Sequence, residues 1–326
     1  MEHPLDVSRA GTLEHTRETH GFSPIPASER GLLTVTAQPY FKVSDELIAL
    51  EGPAFDRNNN LYFVDIYGGR VLRLTPELQL STVFSDRSVK PVGIAIHRDG
   101  RLFVADLGDF RAGRIVAIAP DGNDVQVVVP AEAGFVPDDL VFDHAGGFYL
   151  SDFRGTSTSP TGGIVHVASD ARTVISVLPG MAAANGVALS PNGRVLWATE
   201  FCTSRLHRVE LEAPTSVARY GTSVPYHFVG RAPDSMRVDA EGNVYVAMYQ
   251  QGRILVFSPN GVPIGQILLP GRDEGRFLKS TSLAFVPGSR DLVIVSRDEV
   301  GGGGSMIFKA RGFAAGAKLF SHADAP

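Results

Sequence analysis

The sequence predicts an all-β protein, a six-bladed β-propeller with four-stranded antiparallel blades, from three observations. One strand-rich segment recurs six times at a nearly constant spacing. Glycine supplies 35 of the 326 residues, about 11% against the ~7% usual in globular chains, and with Asn and Asp it marks the joints of that segment. No amphipathic helix longer than a few turns interrupts the pattern.

Residues 1–32 form a polar lead-in, expected to be a mobile or loosely draped arm, and they carry His3, His15 and His20. This arm lacks the apolar run of ~7–15 residues that a secretory signal needs. No stretch anywhere approaches the ~18–20 apolar residues of a membrane span, so a soluble, cytoplasmic protein is expected. The propeller domain takes residues 33–326. Its repeats open with AFDRNNNLYFVDIYGGRVLRL (54–74) and IAIHRDGRLFVADLGDFRAGRIVAI (94–118). They continue with LVFDHAGGFYLSDFRGTSTSPTGGIVHV (140–167) and VALSPNGRVLWATEFCTSRLHRVEL (187–211). The last two are MRVDAEGNVYVAMYQQGRILVF (236–257) and LAFVPGSRDLVIVSRDEVGGGGSMIF (283–308). Successive second strands begin at Leu61, Leu102, Phe148, Val195, Val244 and Leu292, a period of roughly 41–49 residues that suits a four-stranded blade. A strand near Leu33–Thr36 is expected to complete the last blade and remove an exposed edge. The Gly-His and Trp-Asp punctuation of WD40 blades is missing, and the only tryptophan is Trp197.

Aligning the repeats on their first strands brings six segments into phase: EGPAF from Glu51, VGIAI from Val92, DDLVF from Asp138, NGVAL from Asn185, DSMRV from Asp234 and TSLAF from Thr281. The first strand of each blade lines a propeller's channel, so these leading residues form a ring at one mouth. That ring holds three carboxylates and one amide. Confined acids raise one another's pKa and lose solvation, and a bound cation removes both penalties. Oxygen donors without His or Cys suit Ca²⁺, Mg²⁺ or Mn²⁺, with Zn²⁺ reachable through carboxylates. Taken singly, each of the four is more often a turn residue bonding its own backbone. Four in one phase, with the turn residues in another, favour a metal site.

Other features point away from chemistry. The net charge of −5, with both signs interspersed, excludes a dedicated nucleic-acid or anionic-membrane surface. A lone Cys202 excludes an internal disulfide framework and a multi-cysteine metal site. His97 and His144 fall in hairpin turns, and His166, His207 and His227 show no ligand spacing. Ser151, Ser157 and Ser159 lie near Asp152 without a nucleophile-elbow pattern. The GGGG run at 301–304 lies between two strands with no Lys-Ser/Thr after it, which makes it a wide hairpin loop.

The phased segments also carry a resemblance. EGPAFD at Glu51, PDDLVFD at Pro137, ANGVALS at Ala184 and PDSMRVDAEGNVYVA at Pro233 resemble the signatures of the senescence marker protein, gluconolactonase and luciferin-regenerating enzyme family. GRLFVADLGDF (100–110), GGFYLSDFRGTST (146–158), PIGQILLPGRDEG (263–275) and GGGSM (302–306) are closer still to its drug-responsive bacterial lactonases. The likeness runs from about Leu33 to Phe320. It implies a divalent ion in the channel, usually Ca²⁺, and hydrolysis of the ester bond of a small-molecule lactone. By motif, Glu51, Asn185 and Asp234 would be metal ligands with Ser235 a further contact, and Asp234 would also transfer the proton. Asp138 and Asp139 would lie near substrate or metal, or serve a second ion. The chain departs from the lactonase pattern at that second site. Pro130 and Ala133 stand where an acidic and a hydroxyl residue are expected, and LGDFRAGR is one residue short, which puts a second metal in doubt.

Three rival readings remain: a non-catalytic, metal-stabilised binding propeller; a metal-dependent esterase or phosphotriesterase; and a quinone-dependent sugar dehydrogenase, whose cationic cofactor pocket has no counterpart here. Loops near Tyr67, Phe153, Phe201, Tyr226 and Tyr249 are expected to shape substrate choice.

Overall fold

The computed structural model describes residues 13–16 and 18–323, so the expectation for His3 concerns a residue outside those described. Six sheets surround a central channel. Their innermost strands are Leu50–Phe55, Pro91–Ile96, Pro137–Phe142, Ala184–Leu189, Pro233–Val238 and Ser282–Phe285, belonging to blades one to six. From each, three further strands step outward, each antiparallel to the one before. Neighbouring inner strands touch in cyclic order, blade six returning to blade one, so the ring is closed. The remaining helical structure is short 3₁₀ turns such as Ala131–Ala133 and Phe320–His322. Among the described residues no helix is long and apolar enough to cross a membrane.

The burial pattern follows from this stacking. Second strands such as Leu61–Asp65 and Leu102–Asp106 are buried at every position, because a neighbouring blade covers each face. Outermost strands such as Leu80–Ser85 alternate between exposed and half-buried residues, as an edge with one wet face requires. Between blades two and three, Phe103, Phe142 and Phe148 meet edge to face with ring centroids 5.0–5.8 Å apart. Such pairs add about 0.5–1.5 kcal/mol each beyond their area burial.

Closure differs from the expected strand. Leu33–Thr36 runs parallel to Pro263–Leu268 as a fifth strand on blade five, from Leu33 opposite Gly265 to Thr36 opposite Leu268. The strand that completes blade six is the next one, Gln38–Ser44, antiparallel to Gly304–Arg311. Both segments are extended, and only the buried Ala37 separates them, so the chain crosses from one blade to the next in a single residue. The end of the lead-in next to the first strand is anchored at Glu29. Glu29 is buried and forms an ion pair with the equally buried Arg253 of blade five at 2.6 Å. Tyr226 also donates its hydroxyl proton to Glu29, and Gln266 donates to the Glu29 carbonyl.

One irregularity repeats. In blades one to five the inner strand carries an extra residue relative to its partner, between Glu51 and Ala54, Pro91 and Ile94, Pro137 and Leu140, Ala184 and Val187, and Pro233 and Met236. Blade six pairs in regular register from Ser282 to Phe285. These β-bulges fall on the phased residues read from the sequence, and a bulge re-aims the side chains it carries.

Candidate metal and reaction site

Adjacent bulges fit against one another through residues without side chains. A Cβ on Gly186 would lie 2.6 Å from the Asp234 carbonyl oxygen and 2.9 Å from the Ser235 Cα. A Cβ on Gly93 would lie 2.5 Å from the Asp138 oxygen. Close approach at these positions therefore requires glycine. Hydroxyls complete the joints. Thr199 Oγ1 accepts from the Gly186 N–H at 2.7 Å and donates to the Asp234 carbonyl at 2.8 Å, tying blade four to blade five. Thr281 Oγ1 donates to the Leu50 carbonyl at 2.7 Å, tying blade six to blade one.

The bulges leave Glu51, Asp138, Asn185 and Asp234 buried at the channel mouth. Their carboxylates come from blades one, three and five, alternating with Val92, Asn185 and Thr281. That spacing is the widest a six-membered ring allows, yet the charges still act on one another. Burial, followed by the charge of Asp139, pushes Glu51 up to about 7 against the opposing Gly52 N–H, Ser235 hydroxyl and Arg237. Burial and then Glu51 raise Asp138 well above the usual carboxylate range. Burial and then Glu51 and Asp138 do the same to Asp234, opposed by hydrogen bonds from the Asn185 side chain and the Ser235 amide.

Ser235 links two of the candidate residues, its hydroxyl donating to Glu51 Oε1 at 3.0 Å and its amide to Asp234 Oδ1 at 3.1 Å. The Asn185 Oδ1 is buried with no hydrogen-bond partner. A buried amide oxygen left unpaired loses roughly 1–3 kcal/mol, so it marks a place built for something to bind. Among the described residues no three His, Cys, Asp or Glu side chains form a metal-binding group. Glu51, Asp138 and Asp234 thus do not by themselves close round one point, and an amide and a hydroxyl are the other oxygen donors at the mouth.

The paired aspartates separate sharply. Asp139 is fully buried and both its oxygens are engaged: Oδ1 accepts from the Leu140 amide at 2.9 Å, and Oδ2 accepts from Arg237 Nη1 at 3.0 Å. Its own amide donates to Ser151 Oγ at 2.9 Å, which places Ser151 in the scaffold. Arg237, Thr199 and the glycines at 93 and 186 carried no signal in the reading of the sequence. Arg237 could have been found as the one charged residue in its phase of the repeat.

Of the residues expected to shape specificity, Phe153, Phe201 and Tyr249 form a chain of rings from three successive blades, with centroids 5.7 and 5.8 Å apart. Lys279 sits over Tyr249, its Nζ 4.5 Å from the ring centre and 3.0 Å from the phenol oxygen. Tyr226 points elsewhere, to Glu29 and Phe257, and Tyr67 is exposed. The histidines stay in the scaffold: His166 pairs with Asp143 and His207 with Glu200, both at 2.8 Å. The glycine run wraps Asp298, which accepts from the amides of Gly301 and Gly303, as a hairpin loop should.

Fold and mouth together define a channel propeller with an acidic polar centre on its axis. The chain belongs to the SMP-30/Gluconolactonase/LRE-like family, whose profile matches residues 50–297. It is 44% identical over 314 residues to lactonase drp35 of Staphylococcus aureus, spanning 95% of this chain and 97% of that protein. Among solved structures, a luciferin-regenerating enzyme superposes with a TM-score of 0.70 at 20% identity, covering 87% of this chain and 99% of its own. Regucalcin from Agrobacterium tumefaciens, described as calcium-binding, gives 0.70 at 17% identity, with coverages of 87% and 97%. The family and the six-bladed fold expected from the motifs are both borne out.

Proposed function

We propose that this protein hydrolyses the ester bond of a lactone with the help of a divalent cation, Ca²⁺ before Mg²⁺, Mn²⁺ or Zn²⁺, held at the channel mouth. The observation that carries the reading is the unpaired, buried Asn185 oxygen beside carboxylates raised in pKa by burial and then by one another. The 44% identity to a lactonase supports the reaction class. Glu51, Asn185 and Asp234 would hold the ion with Ser235 beside them, an all-oxygen set that favours a hard cation. Once bound, such an ion polarises a carbonyl oxygen and lowers the pKa of a nearby water.

The remaining work falls to the side chains. Asp234, oriented by the Ser235 amide and the Asn185 side chain, takes a proton from the attacking water and returns it to the leaving ring oxygen, giving a hydroxy acid. Asp138 faces the same mouth and orients water or substrate. Asp139, held by Arg237, acts as a positioning residue for the bulge that carries Asp138. The aromatic chain of Phe153, Phe201 and Tyr249 offers an apolar wall to the ring of the substrate.

The test is a proton-release assay on the full chain over aliphatic, aromatic and sugar lactones, with aryl esters and phosphotriesters for comparison. Activity is expected on lactones, lost in chelator and restored by one divalent ion. Asp234→Asn is expected to lower kcat about 10²–10⁴-fold, the usual contribution of a general base, while the propeller stays folded. Full turnover by Asp234→Asn would remove that residue from the reaction. A folded, ion-loaded protein inactive on every lactone would sink the proposal.

A further inference from the structure

We propose that the channel holds a second ligand site, on the far side of the bulges from the acidic ring, that takes a small amphipathic carboxylate. A cavity of about 360 Å³ occupies this half of the channel, within the range of ordinary small-molecule sites. Its origin can be read in the repeats. Three residues beyond each ring position stand Ala54, Ala95, Val141, Ala188, Arg237 and Ala284, and all six line the cavity. Five small side chains leave the axis open, and one long cationic side chain enters it. The next phase, Phe55, Ile96, Phe142, Leu189, Val238 and Phe285, supplies an apolar belt below.

A strap of chain floors this compartment. The Gly316 amide donates to the Ser289 carbonyl at 3.0 Å and the Ala317 amide to the Val238 carbonyl at 3.1 Å. Arg57 Nε donates to the Ser321 carbonyl at 2.6 Å, and Phe320 stacks on Phe142 with centroids 5.3 Å apart. Leu319 and Gly288 on the rim are exposed, so the cavity reaches solvent between the strap and blade six. A compartment of this size, floored by its own chain, admits a small molecule and excludes a peptide.

Charge selects the ligand. Among the described residues no Asp or Glu lines the cavity, and the Arg237 guanidinium belongs to its wall. Both hydrogen bonds that Arg237 makes among the described residues, to Asp139 and to the Met236 carbonyl, leave from Nη1. Its Nε and Nη2 hydrogens therefore remain for a carboxylate, the partner that a guanidinium fork fits best. An apolar body would fill the space inside the alanine ring, and the carboxylate would meet Arg237. None of its lining residues belongs to the acidic ring, and Arg237, which also holds Asp139, is the one side chain it shares with the site proposed above.

The experiment is calorimetric titration of the full chain with 2-naphthoate and with its neutral analogue 2-naphthamide, in Ca²⁺ and in chelator. Saturable one-to-one binding of the carboxylate is expected, unchanged by chelator and at least tenfold tighter than that of the amide. Ala95→Leu and Val141→Phe, which fill the ring from different blades, should each weaken binding tenfold or more, so that either folded variant suffices. Arg237→Met should abolish the preference for carboxylate over amide. Absence of saturable binding, equal binding of the two probes, or folded filling variants that bind as before would each overturn the proposal. Loss of binding in Glu51→Gln but not in Ala95→Leu would also overturn it, by moving the probe to the acidic ring.

Discussion

Replacing Glu51 by Gln should stabilise the ion-free protein at alkaline pH and leave it little changed in acid. Burial and the charge of Asp139 push Glu51 up to about 7 in the folded chain, against 4.5 as its ordinary value. Below pH 4.5 both folded and unfolded chains carry the proton, and the group contributes nothing. Between those values the unfolded chain gives up its proton while the folded one keeps it, so stability falls as pH rises. Above pH 7 the full penalty is present, about 3 kcal/mol for a shift of that size. Asp138 and Asp234 are raised as well and act in the same direction. Glutamine carries no charge, so the variant escapes this term; the hydrogen bonds it loses shift both ends of the pH range equally. With an unfolding entropy of roughly 0.7 kcal/mol/K for a chain of this length, the variant's advantage in Tm should grow by about 4 °C between pH 4.5 and 8 in chelator. Thermal unfolding at the two pH values checks it. A difference between variant and parent that is the same at both would refute the account of crowded, desolvated carboxylates. Adding Ca²⁺ should reverse the order at pH 8, raising the Tm of the parent more than that of the variant.

Three further outcomes concern the scaffold. Thr199→Val leaves the Gly186 N–H and the Asp234 carbonyl without their shared partner; a loss of about 1–3 kcal/mol in denaturant titration is expected, together with a lower kcat. Gly186→Ala places a methyl 2.6 Å from the Asp234 oxygen, and weaker Ca²⁺ binding by titration should accompany its lower Tm. Glu29→Gln strips the charge from a fully buried pair and leaves Arg253 uncompensated. The expected loss is about 3–5 kcal/mol, read as a drop in Tm, and an unchanged Tm would show that the lead-in is not coupled to blade five.

The repeat and the acidic ring were legible because both depend on which residue types occur in phase, and phase survives without coordinates. The closing strand was not, because Leu33–Thr36 and Gln38–Ser44 have similar strand character and only the tertiary seam decides which edge each one meets. Asp138 and Asp139 looked equivalent for a related reason. A bulge turns neighbouring residues in different directions, and one-dimensional spacing does not reveal where it falls. The joints at Thr199 and Gly186 were invisible as well, since a buried threonine or glycine is ordinary until its neighbour is known to be another blade's backbone. Arg237 was legible in principle, as a lone cation among five small residues in its phase of the repeat.

The seam also bears on the order of events at the ribosome. Gln38–Ser44 is synthesised long before Gly304–Arg311, its sheet partner among the described residues. Until then that early strand lacks its partner, and Leu33–Thr36 lacks its own until Pro263–Leu268 has been made. Ring closure therefore waits for Gly304–Arg311, and a nascent chain stalled before residue 304 presents an open edge that chaperones or neighbouring chains can capture.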